Sequence, residues 1–130
     1  MFSEELGIAL LARVDDIDFN IGAPTTTNLF TVPTGFQCVV TKVIIKPAAS
    51  GFTSLAANTD IDLGKVGALT DWAEAHSPAA LTTVDGCDII SPDAVFPIYD
   101  AAEIFALTNN DTSDAGSLCD VLVFGVLIVA

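Results

Sequence analysis

Phe36-Gln37-Cys38-Val39-Val40-Thr41-Lys42-Val43-Ile44-Ile45-Lys46, closed by Pro47, is the stretch that sets the fold class. Six of its residues branch at Cβ, which suits a pleated strand and is poorly matched to a helix. Apolar side chains occupy both parities of the run, so this strand is expected at the centre of a sheet with both faces covered. Pro47 has no N–H to offer a ladder and is expected to end it.

The same period of two extends outward in both directions. Ile17, Phe19 and Ile21 alternate with Asp16, Asp18 and Asn20, a half-buried strand closed by Gly22-Ala23-Pro24. Leu29-Phe30-Thr31-Val32 runs into Pro33-Thr34-Gly35, where Pro presets φ and Gly accepts a positive one, so a turn follows. After a Gly/Ala/Ser-rich loop from Ala48 to Asn58, Ile61, Leu63 and Val66 alternate with Asp60, Asp62 and Lys65 in a further strand, with Gly64 a place to bend. Leu69 to His76 has apolar spacing that predicts one short helical turn, capped by Thr70 or Asp71, with Pro78 just beyond. Downstream, Ala79 to Val84 and Cys87 to Ile90 read as short extended segments, Ser91-Pro92-Asp93 as a turn, and Ala94 to Tyr99 as an edge strand because of Pro97. Glu103 to Thr108 is another strand, and Asn109 to Gly116 a loop.

Leu118 to Val129 is almost continuously apolar and closes the chain as a long strand. Its outward face needs cover from the helical turn, a loop or another subunit. The whole reads as one all-β domain over residues 1–130, an antiparallel β-sandwich or jelly roll of about eight strands with one short helical turn. Residues 1–11 are either a contact arm or the first strand. Phe2, Leu6, Ile8, Leu10 and Leu11 have no clear place in the alternating pattern and are the candidate partner contacts.

Seventeen acidic residues face only Arg13, Lys42, Lys46 and Lys65, for a formal net charge of -13. Phosphate backbones and anionic lipid repel such a chain, so no nucleic acid and no membrane partner is expected. The final run Val121 to Ala130 has a strand's length, well short of the roughly 18 apolar residues of a spanning helix. Glu4 and Glu5 stand where a signal peptide would carry Lys or Arg, so export by that route is not expected. Apolar residues make up 52% of the chain and charged ones 16%, against roughly 25% charged in an ordinary soluble domain. A surplus of that kind predicts a homo-oligomer.

The catalytic inventory is thin. His76 is the one histidine, and beside a helix C-terminus it reads as a dipole contact rather than a general base. Neither a phosphate-binding glycine loop nor a nucleophile elbow or H-E-x-x-H pattern occurs, and no enzyme activity and no cofactor are expected. Cys38, Cys87 and Cys119 lack any C-x-x-C spacing and read as buried free thiols. Asp15, Asp16, Asp18, Asp60, Asp62, Asn109, Asn110, Asp111 and Asp114 carry hard oxygens suited to calcium, but none fits an EF-hand loop, and they read as strand and turn positions with no metal. Asn110-Asp111-Thr112 is formally a glycosylation sequon. Trp72, Tyr99 and the phenylalanines are assigned to the core ahead of a sugar platform.

The run from Asn28 to Ile45, the segment Thr59-Asp60-Ile61-Asp62-Leu63-Gly64 and the apolar final strand together resemble the small decoration, or cement, proteins of tailed-bacteriophage capsids. That resemblance implies a non-enzymatic virion protein, made in the host cytoplasm and seated on the outer capsid surface. It also implies a homotrimer placed where neighbouring major capsid proteins meet, stabilising the shell. The alternative is a carbohydrate- or receptor-binding β-sandwich of a phage tail or fibre.

Overall fold

A computed structural model describes residues 8–19, 24–55, 59–78, 81, 85–110 and 117–130. These form β1 (Ala9–Asp18), β2 (Thr25–Thr31), β3 (Phe36–Phe52), β4 (Ile61–Lys65), β5 (Ala68–His76), β6 (Asp88–Ile90), β7 (Ile104–Asn109) and β8 (Ser117–Val129). Two four-stranded sheets result, ordered β1-β8-β3-β6 and β2-β7-β4-β5. Every pairing is antiparallel.

The order follows from folding one long hairpin. First pairs with last, second with seventh, third with sixth and fourth with fifth; rolling that ribbon then brings β8 beside β3 and β7 beside β4. This is the jelly roll expected from the sequence. The Pro33–Gly35 turn forms, with the Phe36 amide donating to the Pro33 carbonyl at 3.2 Å. It does not close a hairpin, because β2 and β3 lie in different sheets.

Between the sheets lies a core of Ile17, Phe19, Cys38, Val40, Val43, Ile45, Ile61, Leu63, Phe105, Leu107, Cys119, Val121 and Val123, with Trp72 at its middle. Trp72 meets Phe105 edge-on, with centroids 5.7 Å apart, and its indole N–H donates to the Val40 carbonyl at 2.9 Å. One side chain thus ties β5 of the second sheet to β3 of the first. The Asn109 amide does the same at the other end, donating to the Phe19 carbonyl at 3.0 Å.

Five expectations are corrected. Leu69–His76 lies within strand β5, and among the described residues no helix occurs. The cause is in the register: the Leu63–Lys65 step of β4 faces the longer Ala73–Ala68 step of β5, and Ala75 takes a positive φ of 55°. Extra residues on one strand break the period of two and imitate helical spacing. β3 does not stop at Pro47, which sits opposite Cys119. β6 pairs with β3 only over Val43–Ile45, so at Pro47 one edge of β3 is open and a missing N–H is tolerated there. Ala48 is accordingly buried strand rather than the start of a loop, whereas Val66 falls in an exposed turn after β4. Finally, residues 94–99 are not a strand: only Tyr99 bridges to Cys38.

β8 runs beside two bulged strands. β3 inserts Thr41 as an extra residue between the partners of Gly125 and Phe124, and β1 inserts Leu11 one step on, between the partners of Phe124 and Val123. A Cβ on Gly125 would lie 2.2 Å from the Val39 carbonyl oxygen and 2.9 Å from Leu11 Cδ1. Only glycine fits that gap without moving backbone. Gly125→Ala is therefore expected to lose about 3 kcal/mol of stability by chemical denaturation. Gly35→Ala, where φ is 87° but nothing lies within 4 Å, is expected to lose only about 1–2 kcal/mol. Equal losses at the two positions would contradict the close approach.

Candidate interaction surface

Residues directly opposite one another on paired strands point to the same face of a sheet. In the first sheet the register therefore puts Leu10, Phe124 and Lys42 in one row, Arg13, Leu122, Ile44 and Ile89 in a second, and Lys46 with Asp120 in a third, all on the side away from the core. Val39 with Val126 and Gln37 with Ile128 continue it toward the end of β8. This outer face is unusually apolar. Leu122, Phe124, Val126, Val39 and Ile44 are half-buried among their neighbours, while Leu10, Ile89 and Ile128 are exposed. The segment expected to cover it as a helical turn lies in the other sheet, as β5.

Three of the chain's four basic residues also stand on this face. The Lys42 ammonium sits 4.9 Å from the centroid of the Phe124 ring, a cation–π contact, and forms no ion pair among the described residues. Lys46 and Arg13 both converge on Asp120, at 3.1 Å and 3.2 Å to the same carboxylate oxygen. The other oxygen accepts the Asp16 amide at 3.0 Å. Asp16 has φ 57° and lies in the bulge between Val14 and Ile17, where the ladder gives its N–H no regular partner. Asp120 thus closes that bulge and ties β1, β8 and β3 together. Burial alone would raise its carboxyl, but the Asp16 amide, Lys46 and Arg13 hold it below the usual carboxylate range.

Of the candidate contacts from the sequence, Ile8 and Leu10 are exposed, and Leu10 lies on this face beside Phe124. Leu11 is half-buried and packs against the core. Phe2 and Leu6 fall outside the described residues, as do Ile21, Asp111 and Asp114. Residues 9–11 open strand β1.

A second apolar feature projects beside the sheet edge. Ile90 pairs with Val43 and Tyr99 with Cys38, so the chain between them is longer than the stretch of β3 it follows. The excess is pushed outward, leaving Val95 82%, Phe96 51% and Ile98 59% exposed. Anchors fix both ends. The Asp93 amide donates to the Trp72 carbonyl, its carboxylate accepts the Glu74 amide, and Tyr99 exchanges two 2.8 Å backbone hydrogen bonds with Cys38.

The remaining chemical candidates serve the framework. His76 ends β5 and meets Asp88 of β6 at 2.6 Å, joining the two sheets rather than facing a helix dipole. Tyr99 is buried, its hydroxyl donates to Asp71, and burial first and that bond second push its pKa up. Both oxygens of Asp62 are engaged, by the Ala75 amide and the Asn110 side chain. Cys38 and Cys119 are free and buried, their thiols pushed up by burial to about 11 and about 12, whereas Cys87 is free and exposed. Among the described residues no three His, Cys, Asp or Glu side chains form a group able to hold a metal.

No protein-family model, no curated protein and no solved structure matches the chain.

Removing the Asp120 carboxylate strands the Asp16 amide and leaves Lys46 and Arg13 unneutralised, so Asp120→Ala is expected to lose about 2–3 kcal/mol at pH 7. Because the folded carboxyl sits below its unfolded value of about 3.9, its contribution is present above that pH and is lost as pH falls through the lower folded value. Denaturation across pH 2–7 should therefore show a shallower acid slope in Asp120→Ala than in the wild type. Parallel slopes would mean that the carboxylate is not held in this way.

Proposed function

We propose that the protein is a structural module of a virion, a decoration protein that seats on the outer surface of a phage head where major capsid proteins meet. The outer face of β1, β8, β3 and β6 carries this reading, because it offers apolar side chains and lysine where a free-standing sandwich would place polar ones. The sequence likeness over Asn28 to Ile45, Thr59 to Gly64 and the final strand supplies the setting. A jelly roll by itself does not decide the matter, since viral shells and lectins both use it. Trp72 and Tyr99, two aromatics suited to stacking on a sugar, are buried, which favours the structural reading over the carbohydrate one.

Magnitudes indicate how such a module works. Complete burial of a Leu, Val, Ile or Phe side chain contributes about 1.5–3 kcal/mol, and the central residues of this face have already gained part of that. Association costs about 4–15 kcal/mol in lost rotational and translational freedom. One such face therefore gives a modest contact, and firm seating comes from several linked copies engaging the shell together. A homotrimer on the capsid is the arrangement proposed.

Light scattering of the purified chain, alone and with expanded phage capsids, tests the reading. The expected outcome is a stable oligomer that adds to shells and raises the temperature at which they open. A chain that stays monomeric and leaves capsids unchanged would sink it.

A further inference from the structure

We propose that copies of the chain join head to tail, with the apolar knob at residues 95–98 of one copy seated on the outer face of β3 and β8 of the next. The inference rests on the self-association in the reading above and specifies its geometry.

The knob is built to be inserted. Val95, Phe96 and Ile98 are exposed, yet the segment is pinned at both ends by buried groups, Trp72 on one side and Cys38 on the other. Backbone anchored on either side before binding, at Asp93 and Tyr99, reduces the entropy lost on docking. Phe96 is the largest apolar group so presented, and a protruding aromatic on a fixed support is the usual form of an interface anchor.

The receiving face matches it in charge as well as in apolar character. Asp93 and Asp100 flank the knob and are exposed. The face carries Lys42 with no carboxylate partner among the described residues, amid Val39, Ile44, Leu122, Phe124 and Val126. In a chain with 17 acidic and 4 basic residues, such a lysine-bearing apolar patch is the natural counterpart of an acid-flanked apolar knob. Stacking two outer faces on each other would instead bring the basic residues of both copies together and leave both knobs in water. Two different patches in contact make a heterologous interface, in which every copy both gives and receives; the set closes as a ring, as a homotrimer requires, where the rotation between copies closes, and otherwise grows as a filament.

Two variants and their mixture test this. Phe96→Ser removes the knob's anchor, and Lys42→Glu puts an acid on the receiving face; both positions lie at the surface, and a thermal melt verifies that each variant folds. Val95→Asp is the substitute should Phe96→Ser melt early, and Val126→Glu should Lys42→Glu do so. Each variant alone is expected to be monomeric at concentrations where the wild type is an oligomer. An equimolar mixture is expected to reach twice the monomer mass and go no further, because one intact knob still meets one intact face. Wild-type assembly by Phe96→Ser, or a mixture that stays monomeric, would overturn the head-to-tail contact while leaving the decoration reading in place. A monomeric wild type would also overturn the head-to-tail contact, and the decoration reading would fall with it only if that monomer left capsids unchanged.

Discussion

A side chain at position 125 would sit 2.2 Å from the Val39 carbonyl oxygen, and the first sheet is arranged around that approach. β8 is the one strand that both β1 and β3 follow for most of their length, so its geometry is imposed on each. With no Cβ at Gly125, both neighbours bulge on either side of Phe124, β3 through Thr41 toward Gly125 and β1 through Leu11 toward Val123. Each bulge shifts the parity of its strand by one. Cys38 and Val40 face the core before the bulge in β3, Val43 and Ile45 after it, and Lys42 and Ile44 go outward. The composition of the outer face is thus a consequence of where the bulges fall.

The second sheet is held to the first through the same region. Trp72 reaches across from β5 to the Val40 carbonyl, one residue from the Thr41 bulge, and its ring packs edge-on against Phe105 of β7. Tyr99, tilted against Phe105 from the side of the knob, brings Cys38 and Asp71 into the same network. Fixing the knob, closing the sandwich and placing the core aromatics are therefore one packing problem. A buried Tyr and Trp that each find a hydrogen-bond acceptor specify the arrangement better than apolar rings of equal size.

What the sequence reveals depends on how far each strand keeps its period. β3, β4, β7 and β8 were legible because their apolar residues alternate or run continuously and are β-branched, and the β-sandwich followed from their number and spacing. β5 was misread because Trp72 and Ala73 are both buried, with extra residues on either side, a pattern that imitates a helix face. Residues 94–99 have strand composition, but their length exceeds the stretch of β3 they follow, and only pairing reveals the mismatch. The apolar run of β8 is legible too, and it places Leu122, Phe124 and Val126 on the face away from the core. Asp120 was not legible, since its role requires Asp16 in a positive-φ bulge and Lys46 on another strand, residues brought together only by the register.

The sheet edges offer a partner strand little to pair with. An edge strand invites pairing with another chain unless it is short, bent or bulged. Here the edges are β1, β6, β2 and β5. β1 carries two register shifts, one of them holding Asp16 in a left-handed conformation, and β2 has one between Asn28 and Phe30. β5 is irregular twice against β4, and β6 spans three residues. None presents a long flat ladder. In a chain that is 52% apolar, the outer face and the knob hold much of the exposed apolar surface of the described residues. Acidic residues over the rest of the surface oppose indiscriminate contact, so association of the kind proposed would be confined by geometry and charge to those two patches.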